Sequence, residues 1–491
     1  MPRTLLTLAV AATLALPLAG CRREHPRARR AAVQLEECQL AHATMPGRIS
    51  ARCGTVEVPE DWERQDGPRI RIAFAVLRAQ STTPASDAVF FLAGGPGQSA
   101  RAEFVGIAAA FVRVVEHRDI VVVDQRGTGR SAPLECPADA LDALAAAPQD
   151  DLSRARACAA ALGPRVAAYG TDAFARDLDA VRAALGYEQV DLVGASYGTR
   201  AAFVYARRFP ERVRALVLDG VAPPQMPIGG FFARDAERAY ALLAKRCAAD
   251  VACRTRFPDP RGDLGALLAQ LERAAPRVRI PDPIGGGPRE LTVRPDLLRG
   301  TVFLLSYLPE TAALLPSLVL RARDGDVGPL AAQALLAGGD VAAGVSRPLN
   351  FSVLCSEDVP FFPPPGDASE DGSYLGGQMR ESYERACGVW PRRPVDAAWK
   401  APFRGDVPAL LLSGEADPAT PPSWGELALR GLPRGRHVVL RGHGHGSLVR
   451  GCVPQLVARF IETADAGSLD VSCVDRIAPA PPFLDLTGPS P

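Results

Sequence analysis

The chain has 491 residues, 47% of them hydrophobic and 23% charged, a composition that excludes a disordered or fibrous protein. Its 56 basic and 55 acidic residues leave a net charge of +1, so no overall electrostatic field favours a nucleic-acid partner. The length of 491 residues suits either several domains or one α/β enzyme with large insertions.

The first twenty residues have the pattern of a bacterial lipoprotein signal peptide. Arg3 precedes an apolar run over residues 4–18, which is too short to span a bilayer comfortably. The run ends in a Leu-Ala-Gly-Cys sequence at 18–21 that resembles a lipobox. We expect residues 1–20 to be removed and Cys21 to be diacylated, with residues 21–49 forming a tether and N-terminal segment. Residue 22 is an arginine. An aspartate at this position would indicate retention in the inner membrane, so its absence favours the outer membrane. An ordinary secretory signal with a coincidental cysteine is the alternative.

The cysteine count agrees with export. Eleven cysteines are present, and lipidation of Cys21 leaves ten, an even number suited to disulfides in an oxidising compartment. Neighbouring cysteines are expected to pair as Cys38–Cys53, Cys136–Cys158, Cys247–Cys253, Cys355–Cys387 and Cys452–Cys473. The chain has no Cys-x-x-Cys repeat and six histidines, so we expect no metal site.

Short apolar runs predict the strands of a sheet. They lie at residues 69–77, 88–92, 119–124, 190–193, 215–219, 409–413 and 437–440. Most of these runs lack polar alternation, which is typical of strands buried on both faces in a parallel sheet. Helical patterns lie at residues 171–185, 197–209, 424–432 and 453–464. This alternation predicts a doubly wound α/β domain.

The alternation breaks between residues 223 and 402, where helical stretches dominate. They cover residues 231–249, 264–274, 295–308, 310–323 and 374–387, with proline- and glycine-rich segments between them. We interpret 223–402 as a helical lid inserted into an α/β core that consists of residues 50–222 and 403–478. The proline-rich residues 479–491 are expected to form an extended tail.

A candidate nucleophile follows the fourth predicted strand. The Gly-Ala-Ser-Tyr-Gly sequence at 194–198 fits the G-x-S-x-G pattern, and a helical pattern begins directly after it. A sharp strand-to-helix turn needs small flanking residues and exposes the serine hydroxyl, so Ser196 is the predicted nucleophile.

Serine needs a base, and in this type of sheet the acid and then the histidine follow the serine along the chain. Asp417 follows the strand at 409–413 and is the favoured acid, with Glu415 second and Asp219 third. A turn residue before a proline is the competing interpretation of Asp417. His443 and His445 share one glycine-rich loop after the strand at 437–440, and alternation along that loop points them to different sides.

Acyl transfer also needs an oxyanion hole. The Gly-Gly-Pro-Gly segment at 94–97 follows the strand at 88–92, and its glycines let the backbone approach a substrate oxygen. We predict the backbone amides of Gly95 and Tyr197 as the two donors. A plain glycine turn is the alternative.

Three motifs together resemble one family. They are the segments at 94–97 and 194–198 and the Asp-Gln-Arg-Gly-Thr-Gly-Arg-Ser segment at 124–131, and they resemble the prolyl iminopeptidase branch of the α/β-hydrolases. The cysteine-rich C-terminal part, in which Cys452 follows His445, is similar to the secreted tripeptidyl aminopeptidase subgroup. The resemblance covers about residues 53–473. Ala93 replaces the histidine usual in prolyl iminopeptidases, which weakens a strict preference for proline.

The resemblance implies an α/β-hydrolase fold with a lid, an aminopeptidase activity and His445 as the base. Aminopeptidases recognise a free N-terminal ammonium, and a buried cation must be paired with an anion. Glu357 and Asp358, beside Phe361 and Phe362, are the candidate substrate-binding carboxylates, although a solvated acidic loop is the simpler interpretation. Arg126 is expected to brace its loop by ion pairing.

We therefore predict a serine exopeptidase that acts on peptides without a cofactor. An esterase or amidase that acts on small or hydrophobic acyl groups is the alternative, since the three catalytic residues do not separate amides from esters. A lipoprotein that only binds is the third hypothesis, and the intact order of serine, acid and histidine argues against it. The lipid bilayer is an expected partner through the anchor alone.

Overall fold

A computed structural model of the protein describes residues 33–136, 148–283, 285–364, 372–485 and 487–488. The predicted signal peptide and Cys21 lie outside these ranges. Within them, nine strands form one sheet and two more form a hairpin. The strands are β1 (Glu36–Ala41), β2 (Arg48–Pro59), β3 (Arg69–Leu77), β4 (Ala88–Leu92), β5 (Ile120–Val123), β6 (Val190–Ala195), β7 (Val213–Asp219), β8 (Arg277–Pro281), β9 (Pro288–Thr292), β10 (Ala409–Gly414) and β11 (Gly435–Leu440).

Helices lie between and around these strands. They are α1 (Ala100–Ile107), α2 (Pro148–Leu162), α3 (Thr171–Leu185), α4 (Tyr197–Arg208), α5 (Phe232–Ala249), α6 (Val251–Arg256), α7 (Pro260–Arg273), α8 (Pro295–Leu305), α9 (Pro309–Ala312), α10 (Leu315–Arg323), α11 (Gly328–Gly344), α12 (Arg347–Glu357), α13 (Gln378–Cys387), α14 (Pro422–Leu429) and α15 (Val453–Thr463). In the described part of the chain, no helix combines the length and the apolar character needed to cross a bilayer.

The sheet has the order β1-β2-β3-β5-β4-β6-β7-β10-β11. Strands β1, β2, β3 and β5 pair antiparallel, and from β5 through β11 every neighbouring pair is parallel. The central strands β4 and β5 are buried at every position, which explains their unbroken apolar sequences. All seven predicted strands are present, and the predicted doubly wound, mostly parallel α/β fold is confirmed.

Both faces of the sheet are covered by helices. Phe174 of α3 and Phe203 of α4 belong to one apolar layer, and Phe104 of α1 and Phe460 of α15 belong to the other. In parallel strands the carboxyl ends meet at one edge of the sheet, so the loops after β4, β6, β10 and β11 gather there. The predicted catalytic and oxyanion residues lie in or next to these loops, whereas Glu357 and Asp358 lie at the end of α12.

Residues between β7 and β10 build the lid. Its described helices α5 and α7 to α13 share an apolar core that includes Phe232, Leu267, Leu298 and Val353, and Cys253 of α6 belongs to a small separate cluster. The predicted lid is entirely helical, whereas the structure also contains the antiparallel β8–β9 hairpin. The residues of β8 alternate between exposed and half-buried, so the hairpin lies at the surface and leaves no apolar run in the sequence.

The sheet begins before residue 50. Strand β1 pairs antiparallel with β2, so residues 36–49 join the core instead of forming part of a tether. Most β1 side chains are exposed, which explains why no apolar pattern marks this edge strand. The Cys38–Cys53 disulfide links the two strands.

Five disulfides lie in the described ranges, and they join the five predicted cysteine pairs. They are Cys38–Cys53, Cys136–Cys158, Cys247–Cys253, Cys355–Cys387 and Cys452–Cys473. Two of them lie within the lid. A chain with five disulfides is typical of a protein exported to an oxidising compartment.

The described part of the proline-rich tail crosses the lid. Arg246 of α5 donates to the Ala480 carbonyl at 3.0 Å and also to the Gly442 carbonyl of the core at 3.0 Å. The Phe483 amide donates to the Ala313 carbonyl at 3.1 Å. The tail thus connects the lid to the loop that carries the candidate histidines.

Candidate active site

Ser196 occupies the turn between β6 and α4. Its φ of 56° and ψ of −123° describe a backbone conformation that residues other than glycine rarely adopt. A Cβ on Gly194 would lie 2.5 Å from the Gly198 carbonyl oxygen, and a Cβ on Gly198 would lie 2.1 Å from the Leu92 carbonyl oxygen. Both glycines are therefore required for the turn to close, and the turn presents the partly exposed Ser196 side chain above the sheet.

Asp417 and His445 form a hydrogen-bonded pair. The Nδ1 of His445 lies 2.7 Å from the Oδ2 of Asp417, whose side chain is fully buried. The amides of Ala419 and Thr420 each donate to Oδ1 at 2.8 Å, and the Thr420 hydroxyl donates to Oδ2 at 2.9 Å. The carboxylate is thus held in one orientation and fixes the imidazole through Nδ1, while Nε2 makes no hydrogen bond to any residue that the structure describes.

One turn connects Ser196 to this pair. The Ser196 amide donates to the Asp219 carbonyl at 2.7 Å. The next residue, Gly220, has a φ of +65°, and a Cβ there would lie 3.0 Å from Cε1 of His445. The serine and the imidazole therefore flank the same tight turn at the end of β7.

The other candidate acids and the other histidine lie elsewhere. Asp219 accepts from the amides of Ser447 and Leu448, so it anchors the loop beyond His445. Glu415 accepts from the Gly442 amide at 2.8 Å. Nδ1 of His443 lies 3.0 Å from the Arg441 carbonyl oxygen. The structure therefore brings Asp417 and His445 together and gives Asp219, Glu415 and His443 other partners.

The two partners change each other's pKa. Burial alone would raise the pKa of Asp417, but the nearby His445 and the hydrogen bonds hold it below its ordinary value. Burial alone would lower the pKa of His445, but the Asp417 carboxylate raises it above the ordinary value. The pair therefore stabilises an imidazolium, the form that a general base reaches after taking a proton.

The predicted oxyanion loop packs against the serine. A Cβ on Gly94 would lie 3.0 Å from Cβ of Ser196, and Gly95 has a φ of +103° that favours glycine. Neither the Gly95 amide nor the Tyr197 amide donates a hydrogen bond to any residue that the structure describes. Both amides are therefore available to a substrate oxygen.

The side chain of Tyr197 is held below the site by two hydrogen bonds. Gln125 donates to its hydroxyl at 2.9 Å, and Thr171 Oγ1 lies 2.7 Å away. Arg126, the next residue after Gln125, is fully buried and pairs with both oxygens of Asp177 at 2.6 and 2.7 Å. Arg126 thus braces its loop, as expected.

Glu357 and Asp358 are both buried and already have protein partners. Glu357 Oε1 accepts from the Thr171 amide and Oε2 accepts from the Thr171 hydroxyl, both at 2.6 Å. Asp358 Oδ1 accepts from Arg200 at 2.6 Å and Lys400 at 2.8 Å. Asp358 Oδ2 has no hydrogen-bond partner among the described residues. The pair is therefore not a solvated acidic loop.

The two carboxyl groups differ in acidity. Burial raises the pKa of Glu357 to about 7. Burial alone would also raise the pKa of Asp358, but Arg200 and Lys400 hold it below the ordinary value. Arg200 lies in the first turn of α4, the helix that begins directly after Ser196. The cluster of charged side chains around Asp358 therefore borders this helix.

Four residues of the site are missing from the sequence-based prediction. Thr420 supports Asp417 and His445, and its place three residues after an aspartate in a turn is a usable signal. Lys400 is one of two lysines in a chain whose other basic residues are arginines, and this rarity is its only signal in the sequence. Arg200 and Tyr307 reach the site through contacts distant in sequence, which leave no local pattern.

Comparison with known proteins agrees with this geometry. Residues 87–252 match the family model described as alpha/beta hydrolase fold, and residues 373–473 match the model described as TAP-like protein. The chain is 29% identical over 503 residues to the serine protease Hip1 of Mycobacterium tuberculosis. This alignment covers 94% of this chain and 95% of that protein.

Two further relatives extend the comparison. The tripeptidyl aminopeptidase of Streptomyces coelicolor is 28% identical over 512 residues, covering 93% of this chain and 88% of the relative. The carboxylesterase B of M. tuberculosis is 31% identical over 410 residues, covering 76% of each chain. The resemblance predicted from the motifs is confirmed. The chain belongs to the α/β-hydrolase family and carries a TAP-like C-terminal region.

Proposed function

We propose that this protein is a serine exopeptidase that releases N-terminal residues or short peptides through an acyl-enzyme. The observation that carries the proposal is the Asp417–His445 pair beside a serine held on a strained turn. Relatives named serine protease and tripeptidyl aminopeptidase, aligned over most of the chain, support the peptidase class.

The proposed chemistry follows the geometry. Ser196 Oγ attacks the scissile carbonyl carbon while Nε2 of His445 takes the hydroxyl proton, and Asp417 stabilises the resulting imidazolium. The amides of Gly95 and Tyr197 donate to the oxyanion of the tetrahedral intermediate. His445 then gives the proton to the leaving amine as the C–N bond breaks. Water, deprotonated by His445, attacks the acyl carbon. The C–O bond to Ser196 Oγ then breaks, the proton held by His445 passes to Oγ, and the acyl group leaves as a carboxylic acid.

The lid limits which peptides reach the serine. The Ser346 amide donates to the Gly97 carbonyl at 2.8 Å, and Asn350 donates to the Pro96 carbonyl at 3.0 Å. The start of α12 therefore rests directly on the oxyanion loop and closes one side of the site. A cleft covered in this way favours short peptides over folded proteins.

We propose Glu357 and Asp358 as the site for the N-terminal ammonium. Asp358 Oδ2 is a buried carboxylate oxygen without a partner among the described residues, and each Glu357 oxygen accepts only from Thr171. A buried ammonium is bound strongly only where such acceptors compensate its charge. The distance from Ser196 to this pair of carboxylates would set the number of residues that are released in each cleavage.

We expect Glu357→Gln to raise KM about 30-fold for free-amine tripeptide amides, the effect of losing about 2 kcal/mol of buried charge pairing. KM for the N-acetylated tripeptide amide and for a short ester should stay unchanged. This substitution is preferable to Asp358→Asn, which would leave Arg200 and Lys400 without their buried anion.

The measurement is hydrolysis of matched chromogenic substrates: free-amine proline and alanine amides, a free-amine tripeptide amide, its acetylated form and a short ester. Glu381→Gln on the exposed face of α13 is the control and should behave as wild type. Equal turnover of free and acetylated peptides would contradict exopeptidase recognition. An unchanged KM in Glu357→Gln would remove Glu357 from the ammonium site.

An esterase is the second candidate. The relative named carboxylesterase B is 31% identical over 76% of this chain, and the same serine, histidine and acid would cleave an ester. Turnover of the ester alone in the substrate series would establish this candidate. A complete lack of Ser196-dependent turnover would instead favour the binding lipoprotein.

We also propose that Cys21 carries a lipid anchor at the outer membrane. Expressed in a Gram-negative host, the full chain should enter the detergent phase on Triton X-114 partition, and mass spectrometry should find Cys21 as the diacylated N-terminus. Cys21→Ser should stay in the aqueous phase. Serine has no thiol to carry the lipid, and the contacts that remain would hold the protein at a membrane far less firmly. A mature chain that begins elsewhere, or that stays aqueous with Cys21 intact, would establish an ordinary secretory signal.

A further inference from the structure

The lid touches the loop that carries His445. Helix α8 ends at Leu305, and the carbonyl of Tyr307, two residues later, accepts a hydrogen bond from the His445 amide at 2.6 Å. The last carbonyls of a helix end have no partner within the helix and need one outside it. Here a carbonyl just past that end binds the backbone of the candidate base itself.

Gly444 shows how close this contact is. A Cβ on Gly444 would lie 2.2 Å from the Tyr307 carbonyl oxygen and 2.8 Å from the Ser306 carbonyl oxygen. The φ of Gly444 lies outside the left-handed region, so its backbone conformation alone would tolerate alanine. The approach of the lid is therefore what requires glycine at this position.

The side chain of Tyr307 supports the imidazole as well. Its ring centroid lies 4.8 Å from that of His445, with an angle of 59° between the planes. Phe303, on the preceding turn of α8, packs edge-on against the Tyr307 ring at 5.3 Å. The imidazole is thus backed by a short stack of rings that belongs to the lid.

The loop needs such support. Glycines at 442, 444 and 446 give its backbone more freedom than other residues would, and two of them, Gly442 and Gly446, have positive φ. On the core side, Asp219 fixes the loop through the amides of Ser447 and Leu448. On the lid side, the contact to the His445 amide comes from Tyr307.

We propose that Tyr307 is a positioning residue and that docking of α8 places His445 for the reaction, in addition to the part the lid plays in selecting substrates. The inference rests on the proposed serine hydrolase function and deepens it. Misplacing a catalytic group by about 1 Å can cost about 100-fold in rate, so the contact affects kcat more than substrate binding.

The test compares three variants of the full chain by kcat, KM and the rate at which a fluorophosphonate labels Ser196. Gly444→Ala, which pushes the loop away from Tyr307, should lower kcat and the labelling rate about 100-fold with KM within twofold. Tyr307→Leu, which keeps the carbonyl and removes the ring, should lower kcat about 10-fold. Tyr307→Phe should regain most of that loss.

The control is Gly300→Ala in α8, where a Cβ meets no atom within 4 Å. It should match wild type in kcat and KM, and its Tm should be equal or slightly higher, because alanine is favoured over glycine in a helix interior. Wild-type kcat in both Gly444→Ala and Tyr307→Leu would overturn the inference, as would a loss confined to KM. If Gly444→Ala does not fold, the contrast between Tyr307→Leu and Tyr307→Phe decides. Failure of the wild-type protein to label on Ser196 would contradict the proposed function itself, which makes the two failures distinguishable.

Discussion

Replacing Ser196 with alanine should lower kcat for the best free-amine peptide substrate about 10⁵-fold. In the proposed reaction the hydroxyl forms the covalent bond to the acyl group, and alanine has no oxygen that could form it. The oxyanion amides and the binding site remain, so KM should change little and a small residual rate above that in water should persist.

The measurement combines steady-state kinetics with fluorophosphonate labelling, followed by mass spectrometry of the labelled peptide. Labelling should appear on Ser196 in the wild type and disappear in Ser196→Ala. Ser81→Ala, in a half-buried bend between β3 and β4, is the control and should keep full activity and labelling. A variant lacking Ser196 that retains the wild-type rate would place the nucleophile elsewhere.

Asp417→Asn is expected to have the second largest effect, a loss of about 10⁴-fold in kcat. The asparagine keeps the size of the side chain, but it no longer offers His445 an anion. The imidazole then loses its orientation and the stabilisation of its charged form. Glu415→Gln is the matched control, because glutamine still accepts from the Gly442 amide, and its kcat should stay within threefold of wild type.

The pH profile provides an independent test of the same pair. His445 must be neutral to take the proton, so kcat/KM should fall as pH decreases through its pKa, which Asp417 holds above the ordinary value. Asp417→Asn removes both contributions by which Asp417 raises the pKa of His445. Burial, which lowers this pKa, is then opposed only by the weaker effect of the Asp219 carboxylate. The acid limb of the residual activity should therefore move to lower pH. A limb that stays in place, or a large loss in Glu415→Gln, would contradict the assignment of Asp417.

Strong local patterns made the core strands and the strand-to-helix turn at Ser196 predictable. Strands β4 and β5 are buried at every position, so their residues are apolar without interruption and can be identified from sequence alone. The turn at Ser196 needs Gly194 and Gly198 beside it, because both contacts that exclude a Cβ come from this turn and the adjacent strand. The need for glycine at 194 arises within the turn and leaves a local motif, whereas the need at 198 comes from Leu92 of β4, which is distant in sequence.

The edge strand β1 and the β8–β9 hairpin were not predictable in the same way. Their residues are mostly exposed or half-buried, so neither forms the apolar run by which seven of the strands were found, and β2 was missed as well. Pairing with a neighbouring strand stabilises them through backbone hydrogen bonds, which any sequence can make. Exposed strands of this kind can be identified only from the tertiary structure, which shows the neighbouring strands with which they pair.

The sequence by itself determined the fold class, the order of serine, acid and histidine along the chain, and the family. The tertiary structure decided which partners those residues meet. It joins His445 to Asp417 and gives His443 and Glu415 other partners, and it surrounds Asp358 with Arg200 and Lys400 from two distant segments. It also brings Tyr307 of the lid against His445. Contacts between residues far apart in the chain depend on how helices and strands pack, and packing leaves no pattern within a short stretch of sequence.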